Sequence, residues 1–246
     1  MSIERLFTNC LKKIPLKFIR YHYYRVEEFI KTVALEADAI DKRVLDIGSQ
    51  DAPFRKYFTK AEYRTQDVCQ NSQNSIDYLG DINEGLPAIA DASFDYIICT
   101  QVLEHLKRPH VAFREFSRIL KTGGKLFLTT HLCFEEHMIP YDYFRFTRYG
   151  LEFLGSDAEL KLLHIAPHGG IFHLLGLILV TLPIKLFIKR DSFMYYAYLT
   201  VFSVPILLIN MLILLLDLID REKAMTLNYE CVFKKSDATF RIKQIT

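Results

Sequence analysis

ASFDYIICTQVLEHLKRPHVAFREFSRILKTGGKLFLTT, residues 92–130, carries the alternation that decides the fold. Phe94–Thr100 is a short apolar run rich in β-branched and aromatic residues, and Lys125–His131 is a second; both read as strands. Between them, Leu103–Leu120 sets Val111, Phe113, Phe116, Ile119 and Leu120 on one helical face, and Thr122-Gly123-Gly124 supplies a stop. Strand, helix, strand implies a parallel pair, because parallel neighbours need a crossover connection. In a parallel sheet ligands gather beyond the carboxyl ends of the strands, so the residues just after each strand are the ones to inspect.

The rhythm continues outward, with Arg43–Ile47, Tyr63–Thr65 and Lys161–Ala166 as further strands of an α/β sheet. The first strand runs into VLDIGSQDAPF, residues 44–54, where Asp46 ends the strand and Gly48 lets the backbone turn and approach a ligand. Gln50 and Ala52 stand where a dinucleotide fingerprint wants glycines, which argues against pyrophosphate binding. Asp67, after the second strand, is placed to accept both ribose hydroxyls of an adenosine, or else to serve as a solvated turn acid or helix cap. In GDINEGLP, residues 80–87, Asp81 offers an acceptor for an adenine amino group and Ile82 an aliphatic face for the ring.

Taken in order, VLDIGSQDAPF, the acid of TQDV, GDINEGLP and the 92–130 stretch resemble the class I S-adenosylmethionine (SAM)-dependent methyltransferases, in particular the broad small-molecule group with a VLEH motif. The resemblance covers roughly residues 40–166 and implies a Rossmann-like sheet, mostly parallel with an antiparallel last strand, and SAM as cofactor. It places Asp46 and Gly48 along the methionine portion, Asp67 at the ribose, Asp81 and Ile82 at the adenine, and Gln101, Val102 and Leu103 beside the cofactor, with Gln50 also a cofactor-binding candidate. Glu104 and His105 match the EH pair, with His105 either facing the substrate or orienting the loop. Ser49-Gln50-Asp51-Ala52 departs from the glycine-rich CGxG pattern, and Thr122 replaces the usual proline.

Methyl transfer to a hydroxyl benefits from a base, and His131, just after the fifth strand, is the main candidate beside His105; its alternative is a hydrogen bond to the loop. In HMIPYDYFRFTRYGLEFL, residues 137–154, Tyr141 and Tyr143 are candidates to line an acceptor pocket, Arg145 to hold an anionic acceptor, and Thr147 to cap a helix. The alternative is local pairing of Asp142 with Arg145 while the aromatics pack a lid. His164, His168 and His173 lack zinc-site spacing, and EEH at 135–137 is the only short acid–histidine cluster near the pocket, so no metal is expected.

Lys161–Ala166 serves as sixth strand and Met225–Lys234 as seventh, which makes the intervening apolar stretch an insertion. Residues 171–184 lack Lys, Arg, Asp and Glu, and so do the 25 residues of 192–216. Three readings compete: a re-entrant or interfacial hairpin seated by Lys185, Lys189 and Arg190, two membrane spans, or helices packed on the domain or across a dimer. The first makes a membrane-associated enzyme on the cytoplasmic side of a membrane. Its acceptor is a small or lipid-linked molecule such as a glycan, polyprenyl or quinone-like compound. The alternatives are a soluble small-molecule methyltransferase, cytoplasmic, whose insertion makes a homo-oligomer, and a noncatalytic interaction protein of the same fold. The expected division is an N-terminal basic and aromatic helical cap or membrane-surface segment over 1–40, the core over 41–170, the hairpin over 171–217 and completion of the sheet over 218–246.

Composition bounds these readings. With 50% hydrophobic residues and a mean hydropathy of +0.10, the chain is too apolar for a linker or tail. A formal charge of +2 gives no nucleic-acid signal. Five scattered cysteines, Cys10, Cys69, Cys99, Cys133 and Cys231, fit neither a disulfide scaffold nor a zinc knuckle and suggest a reducing compartment. Lys12, Lys13, Lys17 and Arg20 interrupt the apolar residues near the amino terminus, against a signal peptide.

Overall fold

The structure is a computed structural model that describes residues 21–188 and 192–236. The expectations for residues 1–20, including Cys10, and for Lys189 and Arg190 lie outside the described residues. Helix α1 (Tyr21–Ala37) leads into β1 (Arg43–Ile47), β2 (Glu62–Asp67), β3 (Tyr78–Leu79) and β4 (Phe94–Thr100). Then come α2 (Pro109–Ile119), β5 (Leu120–His131), α3 (Arg148–Asp157) and β6 (Leu160–Pro167). Three apolar helices, α4 (Ile171–Phe187), α5 (Phe193–Val201) and α6 (Ser203–Leu216), precede β7 (Asn228–Lys235).

The strands form one sheet of order β3-β2-β1-β4-β5-β7-β6. β1 runs parallel to β2 and β4, and β4 to β5, while β7 runs antiparallel to β5. This is the Rossmann-like sheet with an antiparallel last strand and a helical insertion before it. From β1 the chain builds outward in one direction through β2 and β3, then crosses to β4 on the other side, so the crevice between the carboxyl ends of β1 and β4 is the switch point where ligands bind.

By packing, the chain divides into two units. The first, residues 26–166 and 228–236, holds the sheet and shows why its strands alternate. Val44 and Ile98 point to one face, where Phe29, Ile30, Val33 and Ala37 of α1 cover them. Leu45, Ile97 and Cys99 point to the other, against Ala112, Phe113, Phe116 and Ile119 of α2 and Leu151 of α3. Phe94, Phe113, Phe116 and Phe233 are fully buried, each a side chain whose truncation costs about 3–5 kcal/mol.

Local chemistry explains where the elements differ from the sequence expectation. The helix expected over 103–120 starts at Pro109 instead, preceded by a single 3₁₀ turn at Leu103–His105. Proline lacks the N–H that a helix interior needs and fits its first position. Gly123 and Gly124 sit within β5 rather than ending a helix, because the ladder with β4 shifts register between Phe94 and Tyr96. A Cβ on Gly124 would lie 2.8 Å from the Asp95 carbonyl oxygen. Two-residue β3 is too short to show a period.

The second unit comprises residues 21–25 and 167–227 apart from 189–191. α4 packs on α6 where Gly176 leaves room for Ile213, a Cβ there meeting Ile213 Cδ1 at 1.8 Å. The amino end of α4 is held by acids: Gly170 N–H donates to Asp217 Oδ1 at 2.8 Å and Ile171 N–H to Asp220 Oδ2 at 2.8 Å. His173 Nδ1 lies 3.0 Å from Asp217, which also pairs with Lys223.

The apolar helices correct the membrane reading. Among the described residues, no helix is long and apolar enough to cross a membrane. The 17 residues of α4 reach only about 25 Å at 1.5 Å per residue, short of a hydrocarbon core of about 30 Å. The charge-free run of 192–216 is two helices, of 9 and 14 residues, broken at Phe202. Pro205 explains the break, since its ring would strike the Val201 carbonyl of a continuous helix. The expected membrane association, membrane-surface partner, lipid-linked acceptor at a membrane and placement on its cytoplasmic side rested on a re-entrant or interfacial hairpin of long apolar helices, and without such helices they are withdrawn.

Candidate active site

At the switch point, the turn after β1 is a series of unusual backbone conformations. Gly48 has φ +67°, and Gln50 and Ala52 follow with φ 48° each. The left-handed region costs a non-glycine residue about 1–2 kcal/mol, so the two side chains standing where the related pattern has glycines are held there by their surroundings. Gly48 N–H and Ser49 N–H both donate to the Gln66 carbonyl, at 2.9 and 3.1 Å. Gln50 N–H donates to Asp67 Oδ2 at 2.8 Å, and its carbonyl accepts from Asn71 Nδ2 at 2.9 Å. The room made by Gly48 is taken by Val102, since a Cβ would fall 2.4 Å from Val102 Cγ2.

These groups border a cavity of about 770 Å³, a volume suited to a cofactor with a small acceptor. Gly48, Gln50, Asp67, Asp81, Ile82, Gln101 and Val102 all line it, and so do His105, Tyr141 and Tyr143. Asp67 Oδ1 accepts from Val68 N–H at 2.7 Å, so each carboxylate oxygen already holds one backbone donor and keeps lone pairs for hydroxyls. Asp81 caps the next 3₁₀ turn, accepting from Asn83 N–H at 2.9 Å, and Ile82 packs into the core at its foot. Gln101, at φ 55°, donates through Nε2 to Thr129 Oγ1 at 2.8 Å and Asn228 Oδ1 at 3.1 Å. Its Oε1 is buried without a hydrogen-bond partner, an orphaned acceptor on the cavity wall. The glycine turn, the ribose-type carboxylate and this acceptor fit a SAM molecule.

In the same lining, His105 Nδ1 lies 2.7 Å from the Tyr141 carbonyl. A carbonyl oxygen can only accept, so Nδ1 carries the proton and Nε2 keeps its lone pair. Burial holds the ring's pKa below the ordinary histidine value, which keeps the imidazole neutral at pH 7.

Asp46, Leu103, His131 and Arg145 lie outside the cavity lining, Leu103 being fully buried in the core. Asp46 is buried beneath the turn and accepts from the Tyr63 hydroxyl; burial pushes its carboxyl up to about 7. His131 is 3% exposed, stacks on Phe134 with ring centroids 4.3 Å apart, and faces Glu104 Oε1 at 3.4 Å. Arg145 is bound bidentately to Asp142 at 2.6 and 2.7 Å and also to the Phe134, Glu135 and Phe144 carbonyls. That is the local pair named as its alternative, and it holds the Asp142 carboxyl well below the usual range. Glu104 is fully buried, accepts from Thr130 Oγ1 at 2.8 Å, and is pushed up to about 7 by burial. Its carbonyl accepts from Tyr143 N–H at 2.9 Å, tying the aromatic segment to the EH turn. Asn71 and Met138 also line the cavity, and no sequence signal marked them.

Residues 45–128 match the family model described as a methyltransferase domain. The chain is 42% identical over 59 residues to a ubiquinone biosynthesis O-methyltransferase of Xanthomonas oryzae, covering 24% of this chain and 25% of that one. It is 32% identical over 79 residues to a thiol S-methyltransferase of Rattus norvegicus, covering 32% and 30%. The matched stretches thus span about a quarter to a third of these curated relatives. A SAM-dependent methyltransferase of Archaeoglobus fulgidus superposes with TM-score 0.56 at 16% identity, covering 86% of this chain and 94% of that one. A 1,6-didemethyltoxoflavin-N1-methyltransferase of Burkholderia thailandensis superposes with TM-score 0.52 at 11% identity, covering 94% and 88%. The sheet unit thus has the fold of class I SAM-dependent methyltransferases, and its residues 45–128 match a methyltransferase domain.

Proposed function

We propose that the protein transfers a methyl group from SAM to an oxygen or sulfur nucleophile of a small acceptor held against Tyr141, Tyr143 and Met138. The observation that carries this reading is one continuous cavity whose lining brings together the Gly48 turn, Asp67, Asp81, His105 and the two tyrosines. The partial relatives named for O- and S-methylation support this choice of acceptor atom.

SAM supplies a methyl group on a positively charged sulfur, primed for displacement. On this reading Asp67 holds the ribose hydroxyls, Asp81 and Ile82 the adenine, and Gly48, Gln50, Gln101 and Val102 border the methionine portion. The tyrosines orient the acceptor so that its lone pair lies behind the methyl carbon, which lowers the entropic part of the barrier. His105 Nε2 takes the proton released by a hydroxyl or thiol acceptor as the new bond forms. Asp46, Arg145 and His131 position the turn, the aromatic segment and the end of β5. Helices α4, α5 and α6 serve contacts between copies of the chain, an assignment that a monomer in sedimentation would overturn.

Calorimetry with SAM tests the reading. We expect saturable binding that weakens tenfold or more in Asp67→Ala, followed by S-adenosylhomocysteine release on presenting a panel of small phenols and thiols. His105→Ala should lower turnover about 10²-fold while leaving SAM affinity within a few-fold. Absence of binding at millimolar SAM would overturn the proposal. Binding without turnover on any acceptor would favour the noncatalytic interaction protein.

A further inference from the structure

Next to the cavity, three side chains from separate segments converge: Glu104 after β4, His131 at the end of β5 and His137 in the loop beyond. One ligand atom from each lies within 4.8 Å of the others. Glu104 Oε2 is fixed by the Thr130 hydroxyl, and no hydrogen-bond partner reaches its buried Oε1. His131 Nε2 lies 3.4 Å from that oxygen. His137 Nδ1 is 3.2 Å from Asp142 Oδ2 and 3.1 Å from the Glu135 carbonyl, which leaves Nε2 as its ligand atom.

We propose that Glu104, His131 and His137 form a binding site for a divalent transition-metal ion of the zinc(II) or iron(II) kind. Two imidazoles and one carboxylate are a donor set for such ions, whereas magnesium and calcium want oxygen ligands. The spacing agrees. Ligands at about 2.0–2.1 Å from a tetrahedral centre stand roughly 3.4 Å apart, the separation of His131 Nε2 from Glu104 Oε1. All separations lie within 4.8 Å, so closure needs a movement of about an ångström, and His137 is the member that is not buried. The surrounding groups also match. A ligating histidine has its other ring nitrogen oriented by a carboxylate, and here Asp142 does this for His137 while Arg145 clamps Asp142 from two sides. A cation there would compensate the buried carboxylate. The site opens toward the cavity at His105, whose ring centroid is 4.7 Å from that of His137. Its three members lie on segments that only the fold brings together, so no spacing in the sequence marks them.

The test uses the full, untagged chain, stripped with chelator and titrated with Zn²⁺ by calorimetry. We expect one tight ion per chain and an affinity at least tenfold weaker in His137→Gln, whose side chain is partly exposed, so that the variant folds. Asp142→Asn should weaken binding about 10-fold through His137. Co²⁺ substitution should give a visible ligand-field absorption that His137→Gln alters or abolishes. No binding at 1 mM Zn²⁺, or equal affinity in wild type, His137→Gln and Glu104→Gln, overturns the proposal. A SAM titration of the stripped protein keeps the two readings apart: SAM binding without Zn²⁺ binding removes the metal site alone.

Discussion

The sheet unit and the helical unit are both rich in apolar residues, yet they use them in opposite ways. In the sheet unit Phe94, Phe113 and Ile97 are wholly enclosed between strands and helices. In the helical unit Leu179, Leu186 and Leu208 remain 60–62% exposed. The difference lies in periodicity. Strands that alternate and helices that carry a stripe have two kinds of face, and burial follows the stripe. Helices that are apolar all round cannot cover themselves with so few partners. Hydrophobicity alone therefore says that a surface must be covered, while its pattern says by what. Reading length and apolarity as a membrane-seated hairpin went one step beyond that pattern.

Truncating an enclosed ring should have the largest effect: Phe113→Ala is expected to cost about 3–5 kcal/mol in denaturant unfolding, and a loss below about 1 kcal/mol would break the contrast. Gly176→Val probes the close approach of α4 to α6 inside the helical unit and should cost about 1–3 kcal/mol through displacement of Ile213. A pH series sharpens the picture in the sheet unit. Asp46 is raised from 3.8 to about 7 by burial, so the folded state favours its neutral form. That contribution is complete below about pH 4 and is lost progressively as pH rises through 7. Asp46→Asn should remove this slope, gaining stability relative to wild type as pH climbs from 4 to 8; parallel curves would reject the assignment. Gln50→Gly should relieve left-handed strain against the greater freedom of unfolded glycine, a net gain of at most about 1 kcal/mol. The smallest change should come from exposed Leu179→Ala, within about 0.5 kcal/mol, provided that the unit is measured as a monomer.

Most of the sheet was legible because its cues are local. β1 and β4 fall at the expected residues, and Thr147 caps α3 by accepting from Gly150 N–H. Gly48, Asp67, Asp81 and Gln101 reach one cavity because the ends of parallel strands must meet at the switch point. What stayed hidden depends on tertiary packing or on a single breaker. The start of α2 was set by Pro109, one residue inside a convincing apolar pattern. Whether Arg145 faced a ligand or Asp142 was decided by the fold of residues 134–145. The Glu104, His131 and His137 cluster had no spacing to read.

The position of β7 bears on synthesis. It lies between β5 and β6 and pairs Leu128 with Cys231, residues about 100 apart in the chain. A nascent chain that has emerged only as far as the apolar helices thus holds β5 with an open edge and β6 without its neighbour. Until residues 228–235 leave the ribosome, that edge is a template for unwanted pairing. Slow decoding just before this strand would lengthen the exposure, and a chaperone that shields strand edges would matter most in that interval.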